Sequence, residues 1–419
     1  MVSSFYLGRH CRMNLNTDEE NVALRRRLNL PLLVLYGTGV TVGAGIYVLI
    51  GAIAGHAKTF APLAFVFAAI VMGLTVGSYA ELCTRFPVAA GEAAYVKAAF
   101  RGRWLSTATG LVMIGAAVIA SSTVALGAAG YIAQFTDLPQ PLVVAILIVG
   151  LGLVSAWGIL ESVLLASLFT IVELGGLAVI IVAAAHADLP IGAALFTVPP
   201  LDFSLWLGIA FASLLAFFAF TGFEDLTNMV EEAHAPERNV PIAMALTLVI
   251  TTLLYVVIAA IAVTAVPVER LAASSAPLSL VFREVAGVSP AIISGIAIIA
   301  TLNTIIAQMT MAIRVVYGMA RQGDLPRALG RVSRATATPL LATTGIVALA
   351  LVFALLAPFE RLAEFTSLAT LVVFASVNIA LLKIRWDGAA PRRDIVTVPL
   401  FVPVLGLVTC LMMIGSAVI

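Results

Sequence analysis

Long apolar runs alternate with short polar connections along this chain, and the runs have the length a helix needs to cross a bilayer, about 20 residues. Eleven such runs are legible, at about 31–55, 61–82, 104–133, 140–158, 163–186, 204–224, 241–265, 288–318, 339–357, 362–383 and 398–417. The connections between them leave no room for a separate soluble domain. Two of the runs are interrupted in the middle: residues 37–47 read GTGVTVGAGIY and residues 217–224 read FFAFTGFE. Each glycine inside a helix costs about 1 kcal/mol relative to alanine, so both runs predict a span that unwinds part-way. Interruptions at corresponding positions of two halves point to a transporter's substrate site.

The first ten runs divide into two sets of five, and each break falls in the first run of its set. Because five is odd, the second set enters the bilayer from the opposite side, the inverted-repeat arrangement. The expected layout is a cytoplasmic segment 1–30, a first repeat 31–186, a second repeat 204–383 and an extra C-terminal span 398–419. The alternative is a helical bundle without internal symmetry, since side-chain similarity between the halves is faint.

Composition agrees with the pattern. Hydrophobic residues make up 62% of the chain, charged residues only 11%, and mean hydropathy is +1.10, whereas a soluble domain carries roughly 25% charged residues. Charge then orients the spans, because Lys and Arg concentrate in cytoplasmic loops. With the N-terminus inside, only Lys58, Arg270, Arg283 and Arg361 of the 23 Lys and Arg fall on the far side. The expected location is therefore the cell (inner or plasma) membrane with a cytoplasmic N-terminus. All four Trp, 104, 157, 206 and 386, lie at span ends, where an interfacial aromatic belt belongs.

Other chemistries find no support in the sequence. Cys11, Cys83 and Cys410 are too far apart for a metal or redox motif, and His10, His56, His186 and His234 form no cluster. No metalloprotease, nucleophile-elbow or phosphate-loop pattern occurs. Catalysis, a metal, a cofactor and nucleic-acid binding are not expected, and nothing resembles the nucleotide-binding segments of an ATP-driven pump.

The two breaks carry complementary backbone groups. Unwinding near Gly43 frees amides at the start of the following half-helix, at Ala44, Gly45 and Ile46, where the positive end of the helix dipole receives a carboxylate. Gly39 and Gly43 also stand four apart, and close helix packing explains that spacing as well. If Gly222 ends a half-helix, the carbonyls of Phe218, Ala219 and Thr221 lose their intrahelical partners and must find donors; an ammonium is one. Phe218, Phe220 and Phe223 form an aromatic trio placed to close over a ligand or to pack in the core. An α-amino acid could thus be held at both ends without a charged side chain.

Glu173, inside the fifth run, is the sharpest single residue. A charged side chain at the centre of a span costs about 2.5–3.5 kcal/mol on the mildest scale, so intramembrane acids are functional candidates. It is a candidate for proton coupling, or a protonated structural group bonded to a neighbouring helix. Asn303, Thr304 and Gln308 on the eighth run are available as its partners or as pathway lining, and Ser121 and Ser122 on the third run are further pathway candidates. No acid in the breaks marks a cationic substrate except Glu224, which is assigned to the cytoplasmic half-helix; small neutral amino acids are the expectation.

Four segments, GVTVGAGIY, YAELCTRFPVAAGEAAYV, FFAFTGFEDLTNMVEEAHAPERNVP and NTIIAQMTMAIRVVYGMARQGDLP, resemble the signature segments of the amino acid–polyamine–organocation superfamily of permeases, in the family's order. With the spans between, the resemblance covers about residues 30–400. It implies an all-α polytopic membrane protein with a 5+5 inverted-repeat, leucine-transporter-type core, broken helices 1 and 6, and one extra C-terminal helix. It also implies alternating access, with the substrate carboxylate on amides of Ala44 and Gly45 and the amine on carbonyls of Thr41, Phe218, Ala219 and Thr221. Some proton-coupled relatives place a Lys on span 5 near the first break, where this chain has Glu173. Relatives commonly have twelve spans, and an eleven-span chain ending at Ile419 would leave its C-terminus extracytoplasmic or be a fragment. The expected function is a secondary transporter of amino acids or related amines, with proton coupling and exchange both open. The rival is a membrane sensor that binds an amino acid without moving it.

Overall fold

The structure is a computed structural model and describes residues 28–87, 91–100, 102–157, 163–333, 336, 338–388 and 396–417. Most of the N-terminal segment expected at 1–30 lies outside the described residues. Within them the protein is helical throughout. In chain order the helices are α1 (Leu30–Val42), α2 (Gly45–Ala57), α3 (Ala61–Arg85), α4 (Gly91–Phe100), α5 (Arg103–Ile132), α6 (Gln140–Trp157), α7 (Val163–Ala185) and α8 (Ile191–Phe196). They continue as α9 (Phe203–Phe220), α10 (Pro236–Ala265), α11 (Val268–Ala272), α12 (Pro277–Ala286), α13 (Ala291–Gln322), α14 (Leu340–Leu356), α15 (Phe359–Trp386) and α16 (Phe401–Ser416).

Among the described residues eight helical stretches are long and apolar enough to cross a membrane, and three shorter apolar helices, Leu30–Val42, Leu340–Leu356 and Phe401–Ser416, accompany them. One of the long stretches, Gly45–Arg85, contains both α2 and α3. Counting α1 and α2 as one broken span, the eleven runs read from the sequence each correspond to a helix or a broken pair. The short α8, α11 and α12 lie in connections that hydropathy alone did not resolve.

Local chemistry sets the ends. Asn29 caps α1, its side chain accepting the Leu32 amide at 3.0 Å, with a proline in the first turn, where a missing N–H costs nothing. Asp202 caps α9 in the same way, accepting the Ser204 amide at 2.8 Å. The chain entering α1 is also paired with the connection after the second break: Leu28 donates to the Glu232 carbonyl at 3.0 Å, and His234 donates to the Leu28 carbonyl at 2.8 Å.

α5 runs along α13 and α15, while α3 packs on α9 and α10. The broken elements lie between, with α2 on α9 and α1 on α7 and α10. α6 and α14 turn Leu142, Ile146, Leu153, Leu349 and Leu356 outward, giving the surface the apolarity of lipid. Buried polar groups instead join helices. Ser78 donates to Asn378 at 2.6 Å and Asn378 to Thr75 at 3.2 Å, tying α3 to α15. At the end of α3, Glu81 accepts from Arg85, from Arg385 of α15 and from the Val398 amide. That carboxylate anchors the approach to α16.

Candidate functional site

Both predicted interruptions are present, and they touch. α1 ends at Val42, Gly43 follows with φ 26° and ψ −136°, and α2 begins at Gly45. The Gly43 amide still reaches back to the Gly39 carbonyl at 3.0 Å, but the Ala44 amide turns to the Thr304 hydroxyl of α13 at 3.0 Å. The first-turn amides of α2, at Gly45, Ile46 and Tyr47, have no intrahelical carbonyl ahead of them. α9 stops at Phe220, and Gly222 takes φ 125°, a conformation reserved for glycine.

Close approach explains the glycines. A Cβ on Gly45 would lie 2.6 Å from the Ala219 Cα, and one on Gly222 would lie 2.9 Å from Val40. Each break's glycine therefore packs on the helix interrupted by the other. The amide end of α2 meets the carbonyl end of α9, so positive and negative helix termini face one another.

The carbonyls released at these termini have found donors within the protein. The Phe218 carbonyl accepts from the Thr221 amide at 3.1 Å and the Thr221 hydroxyl at 2.8 Å. Tyr255 of α10, fully buried, holds its hydroxyl 2.7 Å from the Ala219 carbonyl, 2.9 Å from that of Thr41 and 3.1 Å from that of Val42. One O–H thus serves three acceptors from two helices. Tyr255 was not singled out in the sequence; the signal available was its spacing from Thr251 and Thr247, which puts a polar stripe on α10. The hydroxyl oxygens of Thr247 and Thr251, and those of Thr38 and Thr41 on α1, are buried without a hydrogen-bond partner among the described residues.

Glu173 of α7 is fully buried. Its Oε1 accepts from Asn303 Nδ2 of α13 at 3.2 Å, while its Oε2 has no partner among the described residues. Its backbone carbonyl accepts the Tyr47 hydroxyl of α2 at 2.7 Å. The acid, Asn303, Thr304 and the restart of α2 thus belong to one neighbourhood.

Ser121 and Ser122 lie elsewhere. Both are buried and donate to carbonyls of their own helix, at 2.8 Å to Ala117 and 2.9 Å to Val118, and Ser122 also approaches the Ala350 carbonyl of α14 at 2.8 Å. The aromatic trio is packed between helices: Phe220 against Phe65 and Tyr255, Phe223 against Tyr79 and Phe374, and Phe218 buried.

A partly open cavity runs from Thr221 at the second break to Glu92 of α4 and Asn228. Its walls are Met113, Ala116, Ala117 and Ala120 of α5, Gln308 and Met311 of α13, Thr366, Thr370, Val373 and Phe374 of α15, and Glu224 and Asp225 after the break. Residues 223–229 form a 3₁₀ helix in place of the α-helical half expected there. Side chains compete with α-helix formation in this stretch: Glu224 Oε2 accepts the Gly222 amide at 2.8 Å, and Thr227 donates to the Glu224 carbonyl at 2.7 Å. Glu92, almost fully buried, accepts from the Tyr79 hydroxyl at 2.9 Å. Burial pushes its carboxyl up from the ordinary carboxylate range, against the opposing effect of that hydrogen bond. His56 Nε2, at the end of α2, lies 3.7 Å from Glu360 at the start of α15.

The model of the family described as "Amino acid permease" matches residues 28–419. The chain belongs to the amino acid permease family. It is similar to an Arabidopsis thaliana protein named cationic amino acid transporter 4, vacuolar, with 28% identity over 87% of this chain and 64% of that protein. It is similar also to an uncharacterised transporter of Mycobacterium tuberculosis, 30% identical over 93% of this chain and 86% of that one. A branched-chain amino acid permease of Bacillus subtilis is 27% identical over 87% and 82% of the two chains. The chain spans about 64% of the length of the first of these relatives. The family is one of permeases within the amino acid–polyamine–organocation superfamily, and the chain is an integral membrane protein.

Proposed function

We propose that this protein carries an α-amino acid or a related amine across a membrane by alternating access. The observation that carries the reading is the contact of the two breaks, Gly45 on Ala219 and Gly222 on Val40. It sets an unsatisfied amide terminus beside a cluster of carbonyls, a polarity that suits one carboxylate and one amine. In this reading the amides of Gly45 and Ile46, with Gly43 and Ala44 at the turn, receive the substrate carboxylate. The carbonyls of Thr41, Phe218, Ala219 and Thr221 receive its amine, with Phe220 and Gly222 shaping the turn. The reciprocal packing of the two glycines is what two inverted repeats, 31–186 and 204–383, would produce around a shared axis.

The cavity reaches from the second break towards α4, while the described contact between α2 and α15 is that of His56 with Glu360. With the positive loops cytoplasmic, that arrangement is an inward-facing state and the N-terminus lies in the cytosol. Glu173, whose Oε2 is buried without a partner among the described residues, is the group for proton coupling. The relatives named as amino acid transporters and permeases agree with transport in preference to sensing.

Counterflow into liposomes tests this directly: protein loaded with an unlabelled amino acid should accelerate entry of the labelled one. Gly43→Leu should abolish the exchange with membrane insertion intact, because a Cβ at that backbone would lie 2.6 Å from Thr304 Oγ1. Exchange that survives this substitution would remove the breaks from the site.

A further inference from the structure

The first break and the acid of α7 are joined by one side chain. Tyr47, in the first turn of α2, is fully buried, and its hydroxyl donates to the backbone carbonyl of Glu173 at 2.7 Å. α7 leaves room for that approach. A Cβ on Gly176 would stand 2.8 Å from the Tyr47 hydroxyl and 2.7 Å from Ile296 of α13, whereas one on the neighbouring Gly175 would meet open space. A glycine inside a helix costs about 1 kcal/mol relative to alanine, so at Gly176 the helix gives up local stability where the tyrosine needs the space.

The backbone of Tyr47 is held from the other side. Its carbonyl accepts the hydroxyl of Tyr131 of α5 at 2.6 Å, and Tyr131 is itself fully buried. A phenylalanine would fill either place by packing, but a buried phenol O–H requires an acceptor. The first turn of α2 is thus keyed to α5 by one phenol and to α7 by another.

Position gives the second bond its consequence. Gly45 and Ile46, whose amides are proposed for the substrate carboxylate, immediately precede Tyr47, so a shift of that turn when the site fills also shifts the phenol. The phenol in turn holds the part of α7 that carries Glu173, whose Oε1 meets Asn303 and whose Oε2 has no partner among the described residues. The groups facing the acid are uncharged: Asn303 of α13, Tyr47 of α2 and Tyr255 of α10. α1 and α12 also pack on α7, and among the described residues they bring no charge to it. With no charged partner, the proton affinity of Glu173 is set by how its turn of helix sits.

We infer that Tyr47 is the positioning residue that links the substrate site to Glu173, so that filling the α2 amides and placing a proton on Glu173 are coupled through the Tyr47 hydroxyl. The inference rests on the proposed site and on Glu173 as the coupling group, and adds the link between them.

Two coupled binding events change each other's affinity by the same factor, which supplies the test. L-alanine, L-leucine and L-arginine are titrated by thermal shift against the full-length protein in detergent, and the dissociation constant of the tightest is compared between two pH values. Between about pH 6 and about pH 8 the wild-type constant should change by about fivefold or more, the lower end of ordinary coupling. Tyr47→Phe should bring that ratio close to one, as Glu173→Gln does. Gly176→Ala keeps the tyrosine but intrudes on its hydroxyl, and should have the same effect; it decides the matter by the same ratio where Tyr47→Phe fails to fold. A tyrosine that only packs would lower the melting midpoint without moving the ratio. A wild-type ratio in Tyr47→Phe, with the ratio lost in Glu173→Gln, overturns the inference and leaves Glu173 as the coupling group. A wild-type ratio of one, or a ratio that survives Glu173→Gln, overturns the link and the proton role of Glu173 together. Binding of none of the three overturns the amino acid reading with them.

Discussion

The two interrupted helices are held open by different means. Tyr255 aside, the second draws on its own neighbourhood in sequence: Thr221 satisfies the Phe218 carbonyl, Glu224 takes the Gly222 amide, and Thr227 bonds the Glu224 carbonyl. The first depends on distant partners. Its Ala44 amide is capped by Thr304, 260 residues away in sequence, and the acid near it, Glu173, is held by Asn303. A break built from local bonds keeps its shape when neighbouring helices move. One capped from another helix changes when that helix moves, so the first break is the one that can sense a rearrangement of α7 and α13.

Substitutions can pull this contrast apart. The largest effect is expected at Glu173. Without an ionisable group at the first break, Glu173→Gln should eliminate the response of uptake to an imposed pH gradient in liposomes, while exchange at equal pH continues. A gradient response equal to wild type would leave Glu173 as a packing group. Next comes Tyr255→Phe, which strips the shared donor from carbonyls of both breaks. Leaving a buried acceptor unsatisfied costs about 1–3 kcal/mol, to be read as a lower thermal midpoint in detergent together with slower counterflow. An unshifted midpoint would mean that another donor replaces the phenol. The smallest is Thr304→Val, which removes the cap from the first break alone. Loss of a helix cap typically costs about 1 kcal/mol, and the same midpoint assay should show a drop smaller than that of Tyr255→Phe. If it proves the larger of the two, the asymmetry between the breaks is wrong.

The same contrast explains what could be read from the sequence. Hydropathy gives the spans because bilayer thickness dictates their length, and glycine content gives both breaks because the penalty is local. The turn at Thr221 and Gly222 was legible for the same reason. Thr304 was visible as a polar residue on its span, but which amide it would cap depends on the rotation of α13 against α2, which no local pattern encodes. Tyr255 was hidden in an apolar run because an aromatic side chain fits such a run whether or not its hydroxyl is used. The acid wall was missed because Glu92 and Asp225 sit in separate connections, and only the packing of α4 near the second break brings them to one cavity. Glu224 was noticed but given to a regular half-helix, whereas a 3₁₀ segment turns it towards the break.

Tyr255 also constrains how the molecule can move. A single hydroxyl that touches the ends of both α1 and α9 works as a rivet between two otherwise separate levers. If either lever swung alone, carbonyls at the crossing would be left bare in an apolar interior, so the favoured motion turns both about the rivet together. Opening towards one side of the membrane is then mechanically the closing of the other, and a leak through both sides at once would require the rivet to come out.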